Sequence, residues 1–135
     1  TKTPPHSLEA EQSVIGGLML NSEAWEELAG VVSAKDFYEK SHRTLFQAIS
    51  ELNGQSKTVD LLILTEYLKK SNLLQVAGGE NYLIELVHNT PSAMNILAYA
   101  EIVRERSVLR QLLSIVNEIA NMTYRPEGKE ALEIL

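Results

Sequence analysis

Apolar residues recur along most of the chain at spacings of three and four residues, which is the period of amphipathic helices. Alternation of apolar and polar residues is not sustained over any six-residue stretch, so the pattern does not favour β-strands. It therefore predicts an all-α fold. We expect a compact helical head of about five to six helices in residues 1–93, followed in residues 94–135 by a long helix and the start of a second one.

Capping and helix-breaking residues separate the helices predicted for the head. The apolar periodicity places them at residues 8–20, after Ser22, at 42–52, at 61–70 and after Gly78-Gly79. Short polar side chains that can accept hydrogen bonds from free N–H groups are the predicted N-caps, namely Ser7, Ser41 and Asp60. Asn53-Gly54 is predicted to close the third helix.

Two adjacent glycines, Gly16 and Gly17, fall inside the first predicted helix. Each costs about 1 kcal/mol of helix stability relative to alanine. The pair indicates either that another backbone packs closely there or that the helix tolerates a weak point.

The longest pattern without Pro or Gly runs from about Asn95 to Tyr124. A helix of that length extends about 45 Å, whereas a head of this size is only about 30 Å across, so the helix should project. A compact bundle in which it bends back is the alternative. Residues 96–103 are expected to pack on the head, and Arg104–Ser107 to form a polar, ion-paired waist on the surface.

Beyond that waist, apolar residues follow the spacing of coiled-coil a and d positions. An apolar stripe that leaves the head must be covered, so we predict that it contacts another subunit or partner. The predicted interface residues are Leu109, Leu112, Leu113, Val116, Ile119 and Met122. Residues 125–128 should break the helix, and residues 129–135 should begin the second helix of a hairpin that is truncated at the C-terminus.

Composition narrows the possible functions. The 18 acidic and 12 basic residues give a net charge of −6, which lacks the basic footprint of a nucleic-acid site. There are no cysteines, which excludes disulfides and thiolate metal sites and fits a cytoplasmic location. The sequence has no apolar run of membrane-spanning length, so no membrane association is expected.

Catalytic, cofactor and metal sites are not predicted. The spacings Glu39/His42 and Glu85/His88 could belong to a bundle metal site, but the first pair straddles the predicted cap at Ser41. The carboxylate pairs Glu26-Glu27 and Glu101/Glu105 are interpreted as solvated helix faces rather than as acid–base groups. Five tyrosines are scattered without a basic groove, which favours core and interface roles over base stacking.

Several sequence blocks resemble the N-terminal domain of the bacterial replicative DNA helicase DnaB. They occur in the family's order and cover most of the chain, and the resemblance is strongest in the last two. The blocks are residues 4–20, Asp36-Phe37-Tyr38 with His42-Arg43, Val59-Asp60-Leu61, Gly78-Gly79, residues 89–93 and residues 98–106.

The resemblance implies a collar domain that has no catalytic site. In the family these domains pair, three pairs form a collar on the hexamer, and primase docks there through its C-terminal domain as part of the primosome. A helicase loader is a further candidate partner. The ATP and magnesium sites would belong to a motor domain outside these residues, and no direct nucleic-acid site is expected here.

Two hypotheses that assign the chain a different kind of function remain open. A stand-alone helical adaptor or regulator would also lack catalytic motifs, and a Walker motif or a stop codon downstream would distinguish it from the helicase. A small hydrolase would require a cleft with paired carboxylates.

Overall fold

The computed structural model of the chain describes residues 2–125 and 130–134. Its helices are α1 (Leu8–Leu20), α2 (Trp25–Leu28), α3 (Lys40–Gly54), α4 (Leu61–Lys70), α5 (Glu80–Asn89), α6 (Ile96–Tyr124) and α7 (Ala131–Ile134). Short 3-10 turns occupy Ser22–Ala24 and Ala34–Asp36. Since no strand occurs in the described residues, the predicted all-α class is confirmed.

Local capping signals located most helix starts correctly. The side chains of Ser7 and Asp60 accept hydrogen bonds from Ala10 N and Ile63 N, as N-cap residues do. The prediction for α3 was wrong, because this helix begins at Lys40 with Glu39 as its N-cap residue and places Ser41 inside its first turn. The described α3 also includes Gly54, and the positive φ that follows the helix belongs to Ser56 at 59°.

The core of the head is built around α1, which contacts α3, α5 and α6. Val14, Ile15 and Leu18 of α1 are fully buried. The stripe predicted on α3 is confirmed, since Leu45, Phe46, Ile49 and Leu52 are all buried. Burying each such side chain contributes roughly 1.5–3 kcal/mol. Because α1 contacts α3, α5 and α6, it is the helix around which the head packs.

The first glycine of α1 marks a close approach to the backbone of α5, and the second faces a side chain of α6. A Cβ atom on Gly16 would lie 2.6 Å from the carbonyl oxygen of Leu86 and would also meet Thr90 Oγ1. A Cβ atom on Gly17 would lie 2.8 Å from Ile96 Cδ1. Of the two explanations considered for this pair, close packing is therefore correct, and it lets α5 and the start of α6 lie directly on α1.

The long helix extends beyond the head. Its 29 residues correspond to about 43 Å, and every residue from Gln111 to Ile119 is exposed. α7 lies against α6, as a hairpin partner would. Arg125 lies outside α6, whereas the rest of the predicted breaker and the first residue of the predicted second helix are outside the described residues.

Replacing Gly16 by alanine tests the close approach. We expect Gly16→Ala to destabilise the chain by about 1–3 kcal/mol, because the carbonyl of Leu86 cannot rotate away as a side chain can. Gly54→Ala is the matched control, since nothing lies within 4 Å of its new Cβ. Chemical denaturation followed by circular dichroism would measure both, and equal stability of the two variants would contradict this packing.

Candidate interaction surface on the long helix

A buried carboxylate on the head holds the middle of α6 in place. Asp36 ends the turn Ala34–Asp36, and its Oδ2 accepts a hydrogen bond of 2.8 Å from the backbone N–H of Ser33. Its Oδ1 accepts hydrogen bonds from Arg104 Nη1 at 2.9 Å and from Ser107 Oγ at 2.8 Å. One aspartate therefore joins a local turn of the head to two successive turns of α6.

Arg110 extends this anchor toward the N-terminus. Its two terminal nitrogens donate to the carbonyl oxygens of Asp36 at 2.6 Å and Pro5 at 2.8 Å. Its guanidinium also lies 5.5 Å from the centre of the Tyr38 ring, which in turn stacks on His6. The contact between α6 and the head therefore reaches one helical turn beyond the waist predicted from the sequence.

The predicted surface waist was partly wrong. Glu105 and Arg106 do form an exposed ion pair at 2.7 Å. Arg104, however, pairs with the buried Asp36, and Ser107 is itself buried. The sequence gives no local sign of this, because the acidic partner lies 68 residues earlier in the chain.

The apolar face of α6 changes sides along the helix. Ala100 and Val103 are buried against the head, whereas Leu109 and Leu112 are exposed. Leu109 follows Ala100 by nine positions, and Leu112 follows Val103 by nine. Nine positions are about two and a half turns, so each exposed side chain lies on the opposite side of the helix from its buried counterpart. The exposed stripe therefore lies on the side of α6 that faces away from the head, where it is open to a partner.

The structure leaves most of the predicted interface residues uncovered. We call the set the α6 stripe. Exposure is 41% for Leu109, 53% for Leu112, 45% for Leu113, 59% for Val116 and 47% for Ile119, while Met122 is half-buried. Neighbouring Val108 and Ile115 widen the exposed apolar surface at 36% and 52%. A surface of this kind is typical of a contact with another protein.

A second buried polar network was not predicted. The Glu11 carboxylate accepts hydrogen bonds from the backbone N–H groups of Tyr38 at 2.7 Å and Glu39 at 3.3 Å. His42 Nδ1 lies 2.7 Å from Glu11 Oε1, and His42 Nε2 lies 2.5 Å from Tyr82 Oη. The network ties α1, α3 and α5 together, and its carboxylate binds the two backbone N–H groups that come directly before α3.

No sequence pattern predicted that Glu11 is buried, and His42 was considered for its spacing from Glu39. Both side chains are in fact buried, at 1% and 0% exposure. Its position in the sequence could have indicated that Glu11 is buried. Glu11 lies between Ala10 and Val14, which belong to the same buried face of α1. A carboxylate in that position requires partners, since an unpaired buried charge is costly.

Both buried carboxyls are held ionised by their surroundings. Burial raises the pKa of Glu11, but hydrogen bonds from His42, Tyr38 and Glu39 outweigh it, and the pKa lies below the ordinary 4.5. Burial likewise raises the pKa of Asp36, but hydrogen bonds from Ser33, Ser107 and Arg104 bring it below the ordinary 3.8. Each carboxylate therefore stabilises the fold in its charged form.

The other candidate groups are not brought together into a site. Within residues 2–125 and 130–134, no three His, Cys, Asp or Glu side chains are grouped as metal ligands would be. Glu39 is the N-cap residue of α3, while Glu85 and His88 lie on α5. In that same part of the chain, none of the helices combines the length and apolar character needed to cross a membrane.

Acidification should unfold the chain through the two buried carboxyls. Because both pKa values are lower in the folded chain, their stabilisation is present above 4.5 and 3.8 and is lost as the pH falls through the folded-state values. We expect the free energy of unfolding to fall between about pH 5 and pH 2. Urea titrations across this range would measure it.

Removing either charge should weaken the dependence of the free energy of unfolding on pH. We expect Glu11→Gln and Asp36→Asn each to cost about 1–3 kcal/mol at neutral pH and to show a shallower loss of stability in acid. Glu101→Gln, at an exposed position of α6, is the control and should follow the unmodified chain. Unchanged acid dependence in both variants would show that these carboxyls do not hold the fold together.

The family model described as DnaB-like helicase N terminal domain matches residues 3–105. The chain is 46% identical over 132 residues to the replicative DNA helicase DnaB of Pasteurella multocida, and 46% identical over 132 residues to that of Haemophilus influenzae. In both comparisons the aligned region covers 98% of this chain, and the chain spans only 28% of the length of the relative.

Solved structures show the same fold. The N-terminal domain of DnaB helicase from Mycobacterium tuberculosis superposes with a TM-score of 0.92 at 33% identity, covering 98% of this chain and 92% of that one. The N-terminal domain of DnaB helicase from Helicobacter pylori, described together with its interactions with primase, superposes with a TM-score of 0.74. At 23% identity, with 86% of this chain and 90% of that one covered, the second likeness concerns the fold alone.

Proposed function

The chain belongs to the family of DnaB-like helicase N-terminal domains, and we propose that it is the self-associating collar of a replicative helicase. The observation that carries this proposal is the α6 stripe, which is apolar, exposed and turned away from the head. In water each of its large side chains remains partly hydrated. Covering one of them would contribute on the order of 1 kcal/mol, and several together can support association.

A second copy of the chain is the partner that we propose for the stripe. Leu109, Leu112, Val116 and Ile119 repeat at alternating spacings of three and four, as needed for knobs-into-holes packing between helices. The Asp36 anchor leaves this face of α6 free of the head, so that two copies can approach through it. In the proposed arrangement the domains pair through their hairpins, and three pairs form the collar of a hexamer.

The whole protein's activity is also a proposal, since the chain spans 28% of the relatives that it matches. We infer that the chain functions within a longer polypeptide whose motor binds ATP and magnesium and unwinds DNA. The chain itself would supply assembly and docking rather than catalysis. The resemblance to curated helicases over 98% of its length favours this over a stand-alone adaptor.

Docking of primase is the second part of the proposed function. It is supported by family membership and by the related H. pylori domain, which is described with its interactions with primase. The partner region would be the C-terminal domain of primase. We assign no particular face of the head to this contact, and a helicase loader is a further candidate partner.

Charged substitutions on the stripe should prevent self-association. We expect Leu112→Asp combined with Val116→Asp to weaken association at least about a hundredfold, because burying two unpaired carboxylates in an apolar contact is costly. Both residues are more than half exposed, so the head should stay folded. Sedimentation equilibrium over a range of concentrations would measure association, and circular dichroism would check folding.

The matched control adds the same two charges to another face of the projecting part of α6. Ser114→Asp with Asn121→Asp alters exposed polar residues and should leave association nearly unchanged. An unmodified chain that stays monomeric, or a stripe variant that associates as strongly as the control, would contradict the proposal.

Primase docking can be tested separately. We expect the unmodified chain to bind the C-terminal domain of primase from the same organism saturably in isothermal titration calorimetry. The helicase-fold motor is not needed for this measurement, since the proposed contact lies in the collar. Absence of a binding isotherm at concentrations of about 100 μM would argue against docking on this domain alone.

A further inference from the structure

A groove between α4 and α5 combines exposed aliphatic side chains with a negatively charged rim. It measures about 430 Å³ and contains Leu61, Leu62, Thr65 and Ile84. Leu62 is 68% exposed and Ile84 is 38% exposed, although both belong to helices whose other faces are buried in the core. We call this feature the α4–α5 groove. It lies on the head and is distinct from the α6 stripe.

The rim of the groove carries three carboxylates, from Asp60, Glu66 and Glu80. Lys69 is the nearby cation, with Nζ 3.7 Å from Glu66 Oε1 and 4.0 Å from Glu80 Oε2. These separations exceed the 2.7–2.9 Å or so of a strong charged hydrogen bond, and the side chains are about half exposed. Three negative charges and one positive charge leave the rim with a formal charge of −2.

This charge disfavours a second copy as the occupant. A two-fold contact groove to groove would bring the Glu66 and Glu80 carboxylates of one copy close to those of the other. Like charges facing each other in an interface are repulsive.

The form of the groove favours a helix as its occupant. Both walls are α-helices, whose backbone hydrogen bonds are largely internal, so an extended peptide would find no strand edge to pair with. A helix, by contrast, presents aliphatic side chains on one face at spacings of three and four. It can place basic side chains beside them, toward the rim.

We propose that the α4–α5 groove is a docking site for an amphipathic helix of a partner protein that carries aliphatic anchors flanked by Lys or Arg. Leu62 and Ile84 provide the apolar contacts, while Glu66 and Glu80 select the charge of the partner. Salt should weaken the contact because the charged groups are exposed. The site stands independently of self-association, since it uses none of the α6 stripe.

The experiment uses the ¹⁵N-labelled chain and a synthetic helical peptide with Leu at positions i, i+3, i+4 and i+7 and Lys on both flanks. We expect saturable amide shift changes centred on Leu62, Thr65 and Ile84. A peptide with Glu in place of Lys should bind at least about tenfold more weakly, as should the chain variant Glu66→Gln with Glu80→Gln. Two-dimensional NMR titrations report both the location and the affinity.

Two single substitutions distinguish the groove from other apolar surfaces. Leu62→Ser should weaken binding of the Lys peptide about tenfold, whereas Leu112→Ser, at a comparably exposed position of the α6 stripe, should leave it unchanged. Both positions are exposed enough that folding should survive, and the spectrum without peptide checks this.

Several results would overturn the proposal. These are absence of shift changes, changes centred on the α6 stripe, equal binding of the Glu peptide, and loss of binding in Leu112→Ser rather than in Leu62→Ser. Concentration-dependent shifts at Leu62 without peptide would assign the groove to a second copy instead. Sedimentation of the chain with phosphatidylcholine vesicles, abolished by Leu62→Ser, would assign it to a lipid surface.

Discussion

The arrangement of head and projecting helix depends on the hydrogen bonds of Asp36. This one carboxylate is bound on one side by its own turn and on the other by Arg104 and Ser107 of α6. A long helix lying on a small head by apolar contact alone could slide or rotate, because dispersion and hydrophobic contacts are not directional. Charged hydrogen bonds are directional, so they fix both the rotation of α6 and the turn at which it leaves the head.

That fixed rotation determines what the helix offers to other molecules. Because the apolar side changes by half a turn between Val103 and Leu112, the surface that packs on the head is not the surface that is exposed beyond it. A helix with one continuous stripe would instead expose its apolar side chains on the same side that packs against the head. Here the change of side, together with the anchor, separates a folding surface from a surface available for assembly.

The network of Glu11, His42 and Tyr82 has a comparable role inside the head. It joins three helices through hydrogen bonds whose geometry allows little adjustment, while the surrounding apolar contacts supply most of the burial. Its carboxylate also accepts hydrogen bonds from the N–H groups of Tyr38 and Glu39, so it holds the segment that leads directly into α3. The chain ahead of α3 is therefore held by a residue that is distant in sequence, which a search for local capping residues does not reveal.

The sequence alone determined the all-α class, the limits of α1 and α4, the length of α6 and the residues of the α6 stripe. These follow from apolar periodicity and from capping residues within a few positions of the helix ends. Tertiary structure alone decided the partners of Arg104 and Ser107, the start of α3 and the buried state of Glu11 and His42. Each of these depends on side chains that are distant in sequence, such as Asp36 and Arg104, and no local pattern specifies which ones will meet.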